Sequence, residues 1–162
     1  MNNHIDDVTA IAFSPDKRWV ATGEIGAKPM ICIWDAITMQ VKFTIKGKLM
    51  KGIQSLSFSD TGKTLAAVAI DPDHTVAIIN TETGTLISSA KGDVNEILDI
   101  AMKDDLTFST AGIKHFKQWT VSQTGLIAKS GSFGTANPAH GVCKYMGEQC
   151  LTGSITGELY VW

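Results

Sequence analysis

The chain has 162 residues, 44% of them hydrophobic, 19% charged and 7% aromatic, which suits one ordinary domain with a substantial core and excludes a disordered polypeptide. Fourteen Lys plus Arg against sixteen Asp plus Glu give a net charge of −2, too low for a typical general nucleic-acid binder. Fifteen glycines with only four prolines point to many tight turns and exclude a collagenous or proline-rich tract.

The opening run, Met1 to Asp7, shows neither a basic nor an apolar region of the kind that marks a secretory signal. The longest strongly apolar stretch, Leu65 to Ile70, is too short to cross a bilayer. Cys32, Cys143 and Cys150 each stand in a strand-like apolar run and read as buried free thiols. These features lead to the expectation of a cytoplasmic protein with no membrane and no nucleic-acid partner.

Taken in chain order, the elements are short and β-like. Alternating runs are predicted at Val8 to Phe13, Ile53 to Phe58, Ile97 to Met102 and Gly141 to Tyr145. Their ends, Phe13-Ser14, Phe58-Ser59, Met102-Lys103 and Tyr145-Met146, recur at intervals of 45, 44 and 43 residues. A turn follows each, then a second strand (Trp19 to Thr22, Leu65 to Ile70, Thr107 to Ala111, Cys150 to Gly153). A third strand follows (Met30 to Trp34, Val76 to Ile79, Phe116 to Trp119, Glu158 to Trp162). The first three units add a fourth strand: Val41 to Ile45, Leu86 to Ser89, Leu126 to Ser130. The turns Thr81-Glu82-Thr83-Gly84 and Ser122-Gln123-Thr124-Gly125 place glycine where a hairpin needs positive φ.

No window sustains a 3.6-residue period, and the runs are rich in β-branched residues, so helix is a poor alternative. A period near 44 with four short strands per unit is the signature of a β-propeller blade. Nearly continuous apolar strands such as Leu65 to Ile70 and Met30 to Trp34 fit sheets covered on both faces. The expected fold is therefore all-β, about four blades: 4–46, 51–90, 94–131 and an incomplete 139–162. Because an open stack exposes apolar blade faces, a segment of a larger ring, completed by remaining blades or by another chain, is expected.

Asn3-His4-x-Asp6-Asp7-Val8, Trp34-Asp35 and the repeat length resemble WD-repeat propellers. Three stretches are similar to the echinoderm microtubule-associated protein-like (EMAP-like) family. They are His4 to Val8 through Ala21-Thr22-Gly23-Glu24-Ile25 to Ile33-Trp34-Asp35, then Lys51 to Ser59 with Ile70-Asp71, then Lys129 to Gly134 with Leu151 to Ser154 and Tyr160-Val161-Trp162. The resemblance covers essentially the whole chain and implies a non-catalytic protein-binding scaffold. It also implies tubulin or microtubules as partners and a cytoskeletal, ciliary or axonemal location. A WD-repeat adaptor for a ubiquitin-ligase or signalling assembly is the alternative, and a propeller enzyme a more distant one.

WD-repeat blades often link a His before the first strand, an Asp in the second turn, a Ser or Thr on the second strand and the Trp of the third. His4, Thr22 and Trp34 match this structural network, but Glu24 to Pro29 contains no Asp, so the network is expected to be incomplete. No catalytic, cofactor or metal residues are assigned. Gly62-Lys63-Thr64 imitates a P-loop end but lacks the earlier glycine and a following helix. Asp71 to His74 lacks the rest of a calcium loop, and Cys143, Cys150, His115 and His140 lack zinc-ligand spacing. The pairs Asp6-Asp7 and Asp104-Asp105 read as solvated charges.

Lys42, Lys46, Lys48 and Lys51 fall in a run with no acid between Asp35 and Asp60, and Lys91 stands at the next equivalent loop. Lys46, Lys48, Lys51 and Lys91 are the candidate contacts for an acidic partner; a solvated edge protected against aggregation is the plain alternative. In the long connection Ser132 to Gly141, Phe133 is the candidate apolar contact, with packing beneath the blade as its alternative.

Overall fold

The structure is a computed structural model that describes residues 3–47, 49–133 and 139–162. Fifteen strands form four antiparallel sheets, and there is no helix among the described residues. Blade 1 contains β1 (Val8–Phe13), β2 (Trp19–Glu24), β3 (Met30–Asp35) and β4 (Val41–Lys46). Blade 2 contains β5 (Ile53–Phe58), β6 (Thr64–Ala69), β7 (Val76–Asn80) and β8 (Thr85–Ala90). Blade 3 contains β9 (Ile97–Met102), β10 (Thr107–Gly112), β11 (His115–Ser122) and β12 (Gly125–Ser130). Blade 4 has three strands, β13 (His140–Met146), β14 (Gln149–Ser154) and β15 (Leu159–Val161).

Each sheet is a simple meander. The first strands of successive sheets, β1, β5, β9 and β13, pack on one another along the axis. This is the β-propeller arrangement expected from the repeat, and the stack is open, a partial propeller. The middle strands are covered from both sides: every residue of β6 is buried, as are the first five of β3. The outer strand β8 alternates exposed with half-buried residues because only one face meets the neighbouring sheet.

All four inner strands carry a register shift at the same place, between Val8 and Ala10, Ile53 and Ser55, Ile97 and Asp99, and His140 and Val142. A bulge there bends the strand and sharpens its twist. The extra residue of β1 is used: the Thr9 hydroxyl donates to the Ile53 carbonyl of the next blade at 2.7 Å.

The core lies between blades as three apolar layers. Ala21, Ile31 and Ile33 of blade 1 meet Leu56, Phe58 and Leu65 of blade 2. Ala66, Val68 and Ile78 meet Ile100, Phe108 and Trp119. Ala111 and Phe116 meet Cys143, Cys150 and Trp162. The three cysteines are buried and free. Its hydrogen bond to Cys150, together with burial, holds the Cys143 thiol well above the usual range, so it stays protonated and unreactive.

Polar side chains stitch the layers where strands reach their ends. The Asp99 carboxylate accepts from the Ser55 hydroxyl at 2.8 Å and from the Cys143 amide at 2.9 Å, joining three blades. Asp105 corrects the expectation that Asp104-Asp105 is merely solvated. Its Oδ1 accepts from the hydroxyls of Ser59 and Thr61 at 2.6 Å and of Thr64 at 3.2 Å, all in blade 2. Burial opposes its charge, but those three donors outweigh it and hold the carboxyl below the usual range. Gly62, the P-loop look-alike, sits at φ 73° in the turn between β5 and β6.

Candidate protein-binding site

Two features of the blade ends involve the residues singled out in the sequence: a set of histidine networks that fix the blades, and a cationic rim.

In blade 1, the Trp34 indole donates to the Thr22 hydroxyl at 2.7 Å. Thr22 meets His4 Nε2 at 2.6 Å, and His4 Nδ1 meets Glu24 at 2.8 Å. An indole can only donate and a carboxylate can only accept, so the proton order along the chain is fixed: His4 Nδ1–H faces Glu24. The expectation of an incomplete network is thereby corrected. The acid is a glutamate at the end of β2, whose longer side chain reaches the imidazole from a position where no Asp stands.

Blade 3 builds the same chain with the charges exchanged. Trp119 donates to Thr110 at 2.9 Å, Thr110 meets His115 Nε2 at 2.7 Å, and His115 Nδ1 meets Asp93 at 3.0 Å. Here the acid precedes the first strand and the histidine opens the third. Lys117 places an ammonium on the same Asp93 carboxylate at 3.0 Å. Burial pushes the His115 imidazole below its usual value despite the Asp93 charge beside it, so it is neutral at pH 7.

Blade 2 removes the network as a whole. Forty-five residues on from His4, Thr22, Glu24 and Trp34 stand Leu49, Ala67, Ala69 and Ile79, all buried. Replacing every partner by an apolar group leaves nothing unpaired, which is why so complete a change is tolerated.

Blade 4 keeps only half. Trp162 donates to Thr152 at 2.8 Å and Thr152 meets His140 Nδ1 at 2.9 Å. His140 Nε2 is buried with no partner among the described residues. Either tautomer leaves that nitrogen unsatisfied. By register, His140 occupies the place of Val8, Ile53 and Ile97, and burial lowers its pKa. A base with a depressed folded pKa contributes most above its unfolded value, near 6.5, and that contribution is lost as the pH falls toward the folded value. His140→Ile is therefore expected to hold or raise the melting temperature at pH 7 and to flatten its decline between pH 6.5 and 5. Thermal melts of both proteins across that range check this.

The connections between blades and the turns between second and third strands lie at one end of the stack. The Gly26 amide donates to the Lys51 carbonyl at 3.1 Å, and Ile25 pairs with Gly52. This contact brings Lys28, which the sequence reading did not single out, to the rim that carries Lys46 and Lys51. All three are exposed, and none forms an ion pair among the described residues. Lys48 lies outside the described residues.

The remaining candidates are placed differently. Lys91 forms an ion pair with Asp73 at 3.0 Å, so its charge is locally offset. Lys42 lies over the Trp19 ring at 4.1 Å and donates to the Thr81 carbonyl at 3.2 Å, fixing blade 1 to blade 2. Phe133 is half-buried, its ring 5.0 Å from that of Trp162 and 4.9 Å from that of His140. It packs beneath blade 4, the second of its two readings.

Residues 2–162 match the model of the echinoderm microtubule-associated protein first beta-propeller. The chain belongs to this family. A ciliary WD repeat-containing protein, ctxp80, from Euplotoides octocarinatus is 30% identical, over 98% of this chain and 23% of that protein. The 77 kDa echinoderm microtubule-associated protein of Strongylocentrotus purpuratus is 28% identical, over 98% of this chain and 25% of its own length. This EMAP-family chain thus spans about a quarter of these relatives. Among solved structures, the Cps50 (Swd1) β-propeller domain of Myceliophteria thermophila superposes with a TM-score of 0.79 at 16% identity, covering 98% of this chain and 54% of that one. The WD40 repeats of RRP9 give a TM-score of 0.81 at 16% identity, over 99% and 49%. These two likenesses establish the fold.

Proposed function

We propose that this EMAP-family segment is a non-catalytic, microtubule-associated protein-binding scaffold of the cytoskeleton or cilium, and that its cationic rim contacts acidic partner segments. The observation that carries the reading is the rim itself: Lys28, Lys46 and Lys51 are exposed, free of ion pairs among the described residues, and held together by the Ile25–Gly52 pairing. Kinship with proteins named as microtubule-associated and ciliary supports the partner class. Support for a non-catalytic role comes from the chemistry of the titratable groups. His4, Asp93, His115 and Asp105 are engaged in hydrogen bonds to Thr and Ser side chains or to one another, the work of stiffening blades.

The rim acts through a local positive potential, so its attraction weakens as salt shortens the screening length. In co-sedimentation with polymerised tubulin at low salt, the chain is expected in the pellet. The triple variant Lys28→Glu, Lys46→Glu, Lys51→Glu is expected to bind roughly tenfold more weakly, with an unchanged thermal melt because all three side chains are exposed. A wild-type chain that stays in the supernatant sinks the microtubule reading. Equal pelleting of the triple variant removes the rim from it.

A further inference from the structure

We propose that the cationic rim is one half of a composite site, and that the acidic segment it receives carries a large apolar side chain, which docks on Ile25, Met50 and Ile70 beside the lysines. This deepens the scaffold reading and rests on its rim, but it defines the partner's chemistry more narrowly than charge does.

Apolar side chains recur at the rim end of the blades. Ile25, Ile70, Ile113 and Ile155 each follow the last residue of a second strand. Their amides donate to the carbonyls of Asp7, Gly52, Glu96 and Ala139, each at 2.9 Å, so one backbone bond places an isoleucine at this end of every blade. Ile5, Met50 and Val94 each stand three residues before a first strand, at Val8, Ile53 and Ile97, and they are 83%, 62% and 85% exposed. One exposed apolar residue on a surface is ordinary. The same two positions filled blade after blade, in turns that accept polar residues equally well, form a surface suited to an apolar contact.

These positions converge at the junction of blades 1 and 2. Gly52 pairs with Ile25, and a Cβ on Gly52 would stand 2.8 Å from Ile70 Cδ1 and 3.1 Å from Ile25 Cγ1. The two isoleucines thus flank one glycine, and the exposed Met50 stands two residues before it. Ile25 also lines a hollow of about 260 Å³ with Ile5, Ala27 and Lys28. Lys51 lies between Met50 and Gly52, and its carbonyl holds the Gly26 amide at 3.1 Å, so cation and apolar side chains share one short stretch of backbone. Acids at this end are largely taken: His4 holds Glu24, Lys91 holds Asp73, and His115 and Lys117 hold Asp93. The free charge of the rim is therefore complemented by an acidic partner segment. The lysines attract it at a range that salt shortens, whereas the apolar contact is not screened. The thioether of Met50 adapts to aliphatic and aromatic shapes alike.

Fluorescence anisotropy with two labelled glutamate-rich peptides of equal charge, one with a central phenylalanine and one with glycine in its place, tests this. The phenylalanine peptide is expected to bind about tenfold more tightly, and that ratio is expected to hold as added salt weakens both peptides. Met50→Ser combined with Ile25→Ser is expected to erase the ratio and to leave the glycine peptide unchanged. Met50→Ser alone, at an exposed side chain, is expected to reduce the ratio and serves should the double variant misfold. The triple lysine-to-glutamate variant is expected to weaken both peptides. Equal binding of the two peptides overturns this proposal and leaves the rim reading standing. A preference for phenylalanine that survives both serine variants overturns it as well, because the apolar contact then lies elsewhere. Binding of neither peptide overturns the rim reading and this proposal together.

Discussion

Asp93→Ala is expected to lower stability by about 3 kcal/mol, the loss found when one partner is removed from a largely buried charged group. Asp93 receives the His115 Nδ1–H at 3.0 Å, the Lys117 ammonium at 3.0 Å and the Asn95 amide at 3.0 Å. Its deletion leaves His115, buried at the blade 2–blade 3 junction, with a donor aimed at nothing. Lys117 retains the Gly92 carbonyl, which limits the damage. Asp93→Asn keeps a single acceptor, whereas Oδ1 serves the Asn95 amide and Oδ2 the imidazole, so one donor faces the new NH2 and about 2 kcal/mol is expected. Burial raises the Asp93 pKa, but the Asn95 amide, Lys117 and His115 together outweigh it and hold the carboxyl well below the usual range. For a carboxylate depressed in the folded state, the contribution is complete above the unfolded value near 3.9 and is lost as the pH falls toward the folded one. The alanine variant should therefore lose less additional stability than wild type below pH 4. Urea melts at pH 7, 4 and 3 check both the size and the sign.

Gly112→Ala is expected to cost at least about 3 kcal/mol, by forcing backbone apart rather than by straining φ. A Cβ at Gly112 would fall onto the Glu96 carbonyl and lie 2.8 Å from the Ile97 Cα. Neither neighbour is a flexible side chain, and the same Glu96 carbonyl accepts the Ile113 amide at 2.9 Å. The equivalent register positions hold Glu24, Ala69 and Ser154, so the demand for glycine is peculiar to blade 3. Gly141→Ala is the control, because a Cβ there meets nothing within 4 Å among the described residues. Thermal melts of the two variants should separate widely; equal melting temperatures would show that β9 and β10 can part without loss.

The contrast between these positions shows what kind of information each level holds. Strand positions at Val8–Phe13, Ile53–Phe58 and Ile97–Met102 were legible because alternation and turn residues are local. The hairpin glycines Gly84 and Gly125 were legible for the same reason, and both take positive φ, 70° and 131°. Nothing local marked Glu24 as the acid of the blade 1 network, since the family pattern asks for the shorter Asp in a turn. Nothing local marked Asp93 and His115 as the same network with its ends exchanged, because the family pattern runs in one order, histidine before acid. Asp104 and Asp105 are adjacent in sequence, yet only Asp105 reaches across to Ser59 and Thr61. The lysine rim was half visible. Lys46 and Lys51 are close in sequence, while Lys28 arrives through a loop contact and Lys91 is offset by Asp73.

The sequence by itself determined the repeat, the count of fifteen strands and their grouping into blades. Each of these follows from the period-two pattern and turn chemistry of a few neighbouring residues, repeated every 40 to 45 positions. Only the tertiary structure decided which polar groups are partners and which cations stay free. Those outcomes depend on distances between side chains 18 to 46 residues apart. Such distances are set by the register between strands and the stacking of one sheet on the next, and no local pattern encodes them.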